Sequence, residues 1–212
     1  KAERLAAKWP RSVGTYGSAN PVWSADDSTI IFSAEDGGAQ HLWSLSLTAE
    51  QPTAIAHGGH IAAFSMCAKS DALVYTKSSI DHPARLYATN AHTEPVDELS
   101  ASAILPAAKR LDRLNAFLDK IPLGTWQSRT FKGWKGEPVQ AFVCYPPNYD
   151  ARKKYPLLQD IHGGPHAAHL DVWHYRWNVH AFAAQGYVVA AVNYHGSSGF
   201  DEKFLGSIDG DL

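Results

Sequence analysis

Short runs of apolar and aromatic residues fill the first half of the chain, and turn residues such as Asp, Gly, Pro and Ser bound each run. Runs of this length, rich in Val, Ile, Phe, Tyr and Trp, predict β-strands. The pattern occurs twice, because the runs at 22–23, 29–33 and 41–45 correspond to those at 61–65, 72–76 and 85–88. A repeat of about 40–45 residues built from strands is typical of β-propeller blades. A closed propeller has about four to eight blades, so we expect residues 1–115 to be the C-terminal blades of a larger WD40-like propeller.

Residues 100–123 carry a weaker pattern. Leu111, Leu114 and Leu118 lie at helical spacing, while Pro106 and Pro122 bracket the stretch. The pattern alone leaves a helix and an irregular linker equally open.

The second half has the pattern of an α/β sheet, which we assign to residues 116–212. Strands are predicted at 125–133 and 139–145 as a hairpin, then at 155–162 and 187–192. Asp171 is a candidate N-cap of a helix over about 172–185, and Gly186 suits its C-terminal end. The continuous apolar run at 187–192 favours a parallel strand buried on both faces. Strand, helix and strand in this order form a βαβ unit, so the predicted fold class is mixed β and α/β.

Composition and charge exclude several classes of protein. Of the 212 residues 45% are apolar and 19% charged, which excludes a disordered chain. A net charge of −2 offers no basic face for nucleic acid, and the longest apolar stretch is shorter than the about 20 residues of a membrane span. Cys67 and Cys144 could pair only once; we interpret them as small buried residues and leave pairing open. The chain begins with Lys1, so we expect a fragment cut at both ends, and localisation and oligomeric state stay undetermined.

His162-Gly163-Gly164-Pro165-His166 is the candidate for chemistry, because it follows a predicted strand and precedes a predicted helix. Catalytic groups of open α/β sheets gather at this strand edge. Paired glycines let the backbone turn sharply and leave N–H groups open to a developing oxyanion. An ordinary Gly-Pro turn is the alternative interpretation.

Other catalytic groups are harder to place. His162, His166, His169 and His174 lie close together, but the glycines and Pro165 exclude the continuous helix that paired zinc ligands need, so we expect no metal and no cofactor. A Gly-x-Ser-x-Gly nucleophile elbow does not occur in the chain. Ser197, Ser198 and Ser207 are predicted to be loop serines.

Several motifs in order resemble the prolyl oligopeptidase family of serine peptidases, particularly its acylaminoacyl-peptidase and dipeptidyl-peptidase V branch. They are the propeller-like repeats, Val139–Pro147, Lys153–Leu158, His162–Pro165, Phe182–Val189 and Asn193–Phe200. The resemblance implies a β-propeller followed by an α/β-hydrolase domain, in which a serine attacks the peptide carbonyl, a histidine is its base and an aspartate orients that histidine. It implies an oxyanion loop at 162–166, with the Gly164 N–H as donor and with His162 and Gly163 shaping the loop. The triad itself is expected beyond Leu212.

Two positions depart from the family pattern: His162 stands where prolyl oligopeptidases have Tyr, and His195 where many members have Arg. The implied function is release of dipeptides or acylated residues from short peptides, with peptide as the partner and without nucleic acid or a membrane span. These residues alone are expected to be inactive. The alternatives are a non-catalytic propeller-based binding module with a degenerate hydrolase domain, and a carboxylesterase. A propeller that filters peptides by size argues against the esterase.

Overall fold

The computed structural model describes residues 5–13, 19–90 and 108–210, whose strands form three four-stranded sheets. Two of these are antiparallel, with their strands in sequence order. The first repeat sheet comprises β1 (Val22–Trp23), β2 (Thr29–Asp36), β3 (Ala39–Ser46) and β4 (Thr53–Ala56). The second repeat sheet comprises β5 (Phe64–Met66), β6 (Ala72–Ser79), β7 (His82–Asn90) and β8 (Lys109–Arg110). The two predicted strand repeats are therefore confirmed within a few residues.

The two repeat sheets share one apolar core. Their inward-facing side chains form a buried cluster that includes Ile31, Leu42, Leu73, Tyr75 and Tyr87. The rings of Tyr75 and Tyr87 stack with centroids 5.5 Å apart. Each repeat therefore buries one face on its neighbour, as stacked repeats require.

The third sheet contains parallel and antiparallel pairs, and we call it the mixed sheet. Its strands are β9 (Trp126–Lys132), β10 (Pro138–Cys144), β11 (Leu157–Asp160) and β12 (Val188–Asn193), in the order β11-β12-β10-β9. β9 and β10 form the predicted antiparallel hairpin, and β11 pairs with β12 in parallel. The hairpin and the parallel pair are confirmed.

The predicted helix over 172–185 is wrong in its first half. Helix α1 spans only Val179–Ala183 and is capped by Asn178, whose side chain accepts the His180 N–H at 2.9 Å. Before it, His174 Nδ1 accepts the backbone N–H groups of residues 176 and 177, at 3.2 and 2.9 Å. Such local bonds compete with helical ones. Gly186 follows α1 at φ +91°, as predicted for the helix end. A second short helix, α2, spans Glu202–Leu205.

Burial along β12 alternates, so the prediction of a strand buried on both faces is wrong. Val189, Ala191 and Asn193 are buried, while the residues between them are half-buried. Helix α1 covers one face of the sheet, where Ala183 packs against Val189 and Cys144. The other face has less cover among the described residues.

Residues 100–107 of the weakly patterned stretch lie outside the described residues. The remainder is mostly irregular, with one 3₁₀ turn at Ala116–Lys120. Both cysteines are free; Cys144 is buried, whereas Cys67 is exposed, so its interpretation as a buried residue is wrong. No helix among the described residues is long and apolar enough to cross a membrane.

Candidate functional site

The glycine loop at 162–166, which we call the oxyanion loop after the role that the family resemblance implies for it, follows the end of β11 at the edge of the mixed sheet. Gly164 adopts φ +149°, and a Cβ placed there would lie 2.7 Å from the His166 nitrogen and 3.0 Å from the Ala167 nitrogen. A Cβ on Gly163 would meet no atom within 4 Å. The turn therefore requires glycine at 164, while at 163 the space is open.

The backbone donors of this loop are not used by the protein. Among the described residues, neither the Gly163 N–H nor the Gly164 N–H donates to a protein acceptor. Unpaired N–H groups beside an open cavity are the donors that an oxyanion site needs.

His162 is tied into the loop from both sides of its ring. Its Nδ1 lies 2.9 Å from the Gly163 carbonyl oxygen, and its Nε2 lies 2.9 Å from Ser197 Oγ. The Ser197 hydroxyl also lies 2.6 Å from the Tyr194 carbonyl oxygen, to which it donates. Tyr194 stacks on the imidazole at 4.2 Å, and its hydroxyl donates to the His162 carbonyl at 2.6 Å.

Residues 194–199, which we call the supporting loop, lie along the oxyanion loop at further points. His166 Nδ1 donates to the Gly196 carbonyl at 3.1 Å, and the Ser198 N–H donates to the Ala167 carbonyl at 3.1 Å. Ser197 is fully buried. Ser197 and Ser198, two of the serines predicted to be loop residues, thus support the oxyanion loop, whereas Ser207 lies in a 3₁₀ turn and donates to the Phe204 carbonyl.

Asn193, at the end of β12, holds the segment after the oxyanion loop. Its side-chain oxygen accepts the His169 N–H at 2.7 Å, and its amide nitrogen donates to the His169 carbonyl at 2.9 Å. The same nitrogen donates to Gln140 on β10. The sequence signal for Asn193 was a polar residue at the end of an apolar strand. Its role in holding the His169 backbone was not predicted from that signal.

Asp171 is not a helix cap, because its carboxylate is buried against both repeat sheets. It accepts hydrogen bonds from Ser79 Oγ at 2.6 Å, from the Ile80 N–H at 2.8 Å and from the Gly59 N–H at 3.0 Å. Its own N–H donates to the Gly38 carbonyl at 2.7 Å. Burial raises the pKa of Asp171, and the three hydrogen bonds oppose that rise.

A second contact joins the first repeat sheet to the supporting loop. Ser198 Oγ donates to Glu35 Oε2 at 2.5 Å, and the Gly37 N–H donates to the Gly199 carbonyl at 2.7 Å. Burial raises the pKa of Glu35, against the opposing effect of the Ser198 bond. The repeat sheets therefore touch the structure around the oxyanion loop at two separate points.

Comparison with known proteins agrees with this geometry. The model of the prolyl oligopeptidase family matches residues 173–212. Dipeptidyl-peptidase 5 of Aspergillus oryzae is 36% identical over 210 residues, covering 96% of this chain and 26% of the relative. The chain belongs to the prolyl oligopeptidase family. It spans about a quarter of the length of the curated relatives that it matches.

Other known proteins are similar to this chain in sequence or in fold. Dipeptidyl-peptidase 5 of Porphyromonas gingivalis is 30% identical over 190 residues, covering 89% of this chain and 26% of the relative. The solved acylaminoacyl peptidase of Pyrococcus horikoshii matches with a TM-score of 0.71 at 20% identity, covering 94% of this chain and 27% of that chain. At this identity the structural match shows the shared fold alone.

Beside the loop of this family member lies a cavity of about 530 Å³. Gly163 and His162 form part of its wall, and Phe142, Arg176 and Trp177 line other sides. A volume of this size suits a small ligand. Gly163, one of the two residues with an unused N–H, therefore borders a space that a substrate group can enter.

The remaining candidate groups serve other contacts. His195 Nε2 lies 2.5 Å from Glu137 Oε2, and its ring stacks on Phe204. Burial raises the pKa of Cys144 to about 11, so this thiol, 3.5 Å from His180 Nδ1, stays protonated. A protonated buried thiol is not a nucleophile.

Proposed function

We propose that the chain is part of a serine peptidase that hydrolyses short peptides and releases dipeptides or acylated residues. In this proposal residues 1–115 are the last blades of a propeller, and residues 116–212 begin an α/β-hydrolase domain. The single observation that carries it is the oxyanion loop, with two unused N–H donors on a turn that only glycine can adopt at 164.

In the proposed reaction the catalytic triad makes and breaks the bonds, and this chain supplies the loop that stabilises the oxyanion. The triad serine attacks the peptide carbonyl while the triad histidine takes its proton, and the carbonyl oxygen becomes an oxyanion. The Gly164 N–H donates to that oxyanion, while His162 and Gly163 shape the loop that carries this donor. Transfer of the proton to the leaving amine breaks the peptide bond, and water then hydrolyses the acyl-enzyme.

Two alternatives lie in other classes. A non-catalytic binding module would use the repeat sheets and would not need unused donors beside a cavity. A carboxylesterase would use the same loop for an ester carbonyl. Support for the peptidase comes from the repeat sheets, which contact the structure around the oxyanion loop directly, at Asp171 and at Ser198.

The test compares the whole protein with the 212 residues alone. A fluorophosphonate probe and an Ala- or Phe-containing dipeptidyl chromogenic substrate are applied to both. We expect labelling and turnover only for the whole protein, because a donor without a nucleophile cannot form an acyl-enzyme. Stoichiometric labelling of the 212 residues at Ser197, Ser198 or Ser207 would contradict the assignment, and an inactive whole protein would favour the binding module.

A further inference from the structure

The oxyanion loop does not stand alone on its sheet. The supporting loop contacts it at His162, through Tyr194 and Ser197, and at His166, through the Gly196 carbonyl, and the Ser198 N–H donates to the Ala167 carbonyl just after it. Any shift of the supporting loop must therefore move the oxyanion loop or break these contacts.

The supporting loop in turn rests on the first repeat sheet. Glu35 is the last but one residue of β2, and its carboxylate accepts the Ser198 hydroxyl at 2.5 Å. The contact is close on the backbone side as well, because a Cβ on Gly199 would lie 3.0 Å from Glu35 Cβ. Glu35 and Ser198 are 163 positions apart in the chain. They nevertheless meet next to the contacts between the supporting loop and the oxyanion loop.

We propose that Glu35 is a positioning residue, through which the first repeat sheet holds the oxyanion loop in its donor geometry. Its carboxylate fixes Ser198, the supporting loop carries this constraint to His162, and His162 fixes the backbone at Gly163. The inference rests on the proposed function for its catalytic consequence, but the positioning itself is a property of the loop. Asp171 lies at the other end of the segment that begins with the oxyanion loop, and its carboxylate is held by Ser79 and by the Ile80 N–H.

The chemistry of the contact defines the variants. Glu35→Ala removes the acceptor, and Ser198→Ala removes the donor from the opposite side. Glu35→Gln keeps an oxygen that can accept the same hydroxyl. Glu50→Ala is the matched control. Glu50 is an exposed acid in the connection that follows β3, and it lies at the opposite end of the β2–β3 pair from Glu35.

Two readouts are measured on the whole protein. Steady-state kinetics separate kcat from KM, and hydrogen exchange reports the amides of residues 162–169 without needing activity. A misplaced catalytic group costs up to about 100-fold, so we expect Glu35→Ala and Ser198→Ala each to lower kcat roughly tenfold with KM within about twofold. The double variant should lose no more than either single variant, since both remove one contact. Glu35→Gln should recover most of kcat, and Glu50→Ala should match the parent.

Exchange of the hydrogen-bonded Ala167 and His169 amides should rise in Glu35→Ala and Ser198→Ala, but not in Glu50→Ala. Unchanged exchange and kcat in a folded Glu35→Ala protein would overturn the proposal, as would additive losses in the double variant. Should the parent lack peptidase activity, the proposed function fails, and the exchange measurement alone still decides whether Glu35 positions the loop.

Discussion

Adding one methyl group at Gly164 should remove most of the peptidase turnover that we propose for the whole protein. The Cβ of Gly164→Ala would lie 2.7 Å from the His166 nitrogen and 3.0 Å from the Ala167 nitrogen. Both neighbours are backbone atoms, so the loop itself must move, and φ +149° is a conformation that alanine rarely adopts. The Gly164 N–H then points away from the oxyanion.

The expected magnitude follows from the loss of one oxyanion donor, which costs about 10²–10³ in kcat, or about 3–4 kcal/mol of transition-state stabilisation. KM should change little, because the donor acts mainly on the transition state. Gly164→Pro removes the N–H itself and should fall in the same range. Gly163→Ala is the matched steric control, since its methyl group meets no atom within 4 Å, and it should lose far less.

The assay measures kcat and KM on a dipeptidyl chromogenic substrate, and thermal unfolding confirms that each variant is folded. A folded Gly164→Ala protein with turnover within about twofold of the parent would show that Gly164 is only a turn residue. Equal losses in Gly163→Ala and Gly164→Ala would refute the steric reasoning, because only one of the two methyl groups meets the backbone.

Three further predictions test the surroundings of the loop. His162→Phe keeps a ring against Tyr194 but loses both nitrogen contacts, so kcat should fall about tenfold or more in steady-state kinetics; an unchanged kcat would contradict this. Asn193→Ala leaves the half-buried backbone of His169 unpaired and should lower the free energy of unfolding by about 1–3 kcal/mol in urea titrations; an unchanged free energy of unfolding would count against this role. Burial, then the charge of a neighbouring histidine, lowers the pKa of His41 to about 4. His41 has its usual pKa of 6.5 in the unfolded state, so as the pH falls the unfolded state binds the proton before the folded state does. The free energy of unfolding therefore decreases as the pH falls from 6.5 to about 4. His41→Gln should reduce that loss by about 3 kcal/mol, and an unchanged slope of unfolding free energy against pH would refute it.

The local sequence pattern was sufficient to predict most strands and the position of the candidate loop. Alternation and turn residues predicted the two repeats, the hairpin of β9 and β10, and the strand that leads into His162. These features depend on neighbours a few residues apart, which spacing along the chain records directly.

The contacts that hold the loop depended on the tertiary structure. Asp171 has the sequence context of a helix cap, yet its acceptor atoms are taken by Ser79 and Ile80 more than 90 residues earlier. The sequence suggested that the strand at 187–192 would be buried on both faces, whereas burial along β12 alternates between buried and half-buried residues. Ser197 and Ser198 likewise gained their roles from partners on other segments. Strand order and long-range hydrogen bonds are decided by which surfaces meet when the sheets pack, and one chain's spacing does not contain that information.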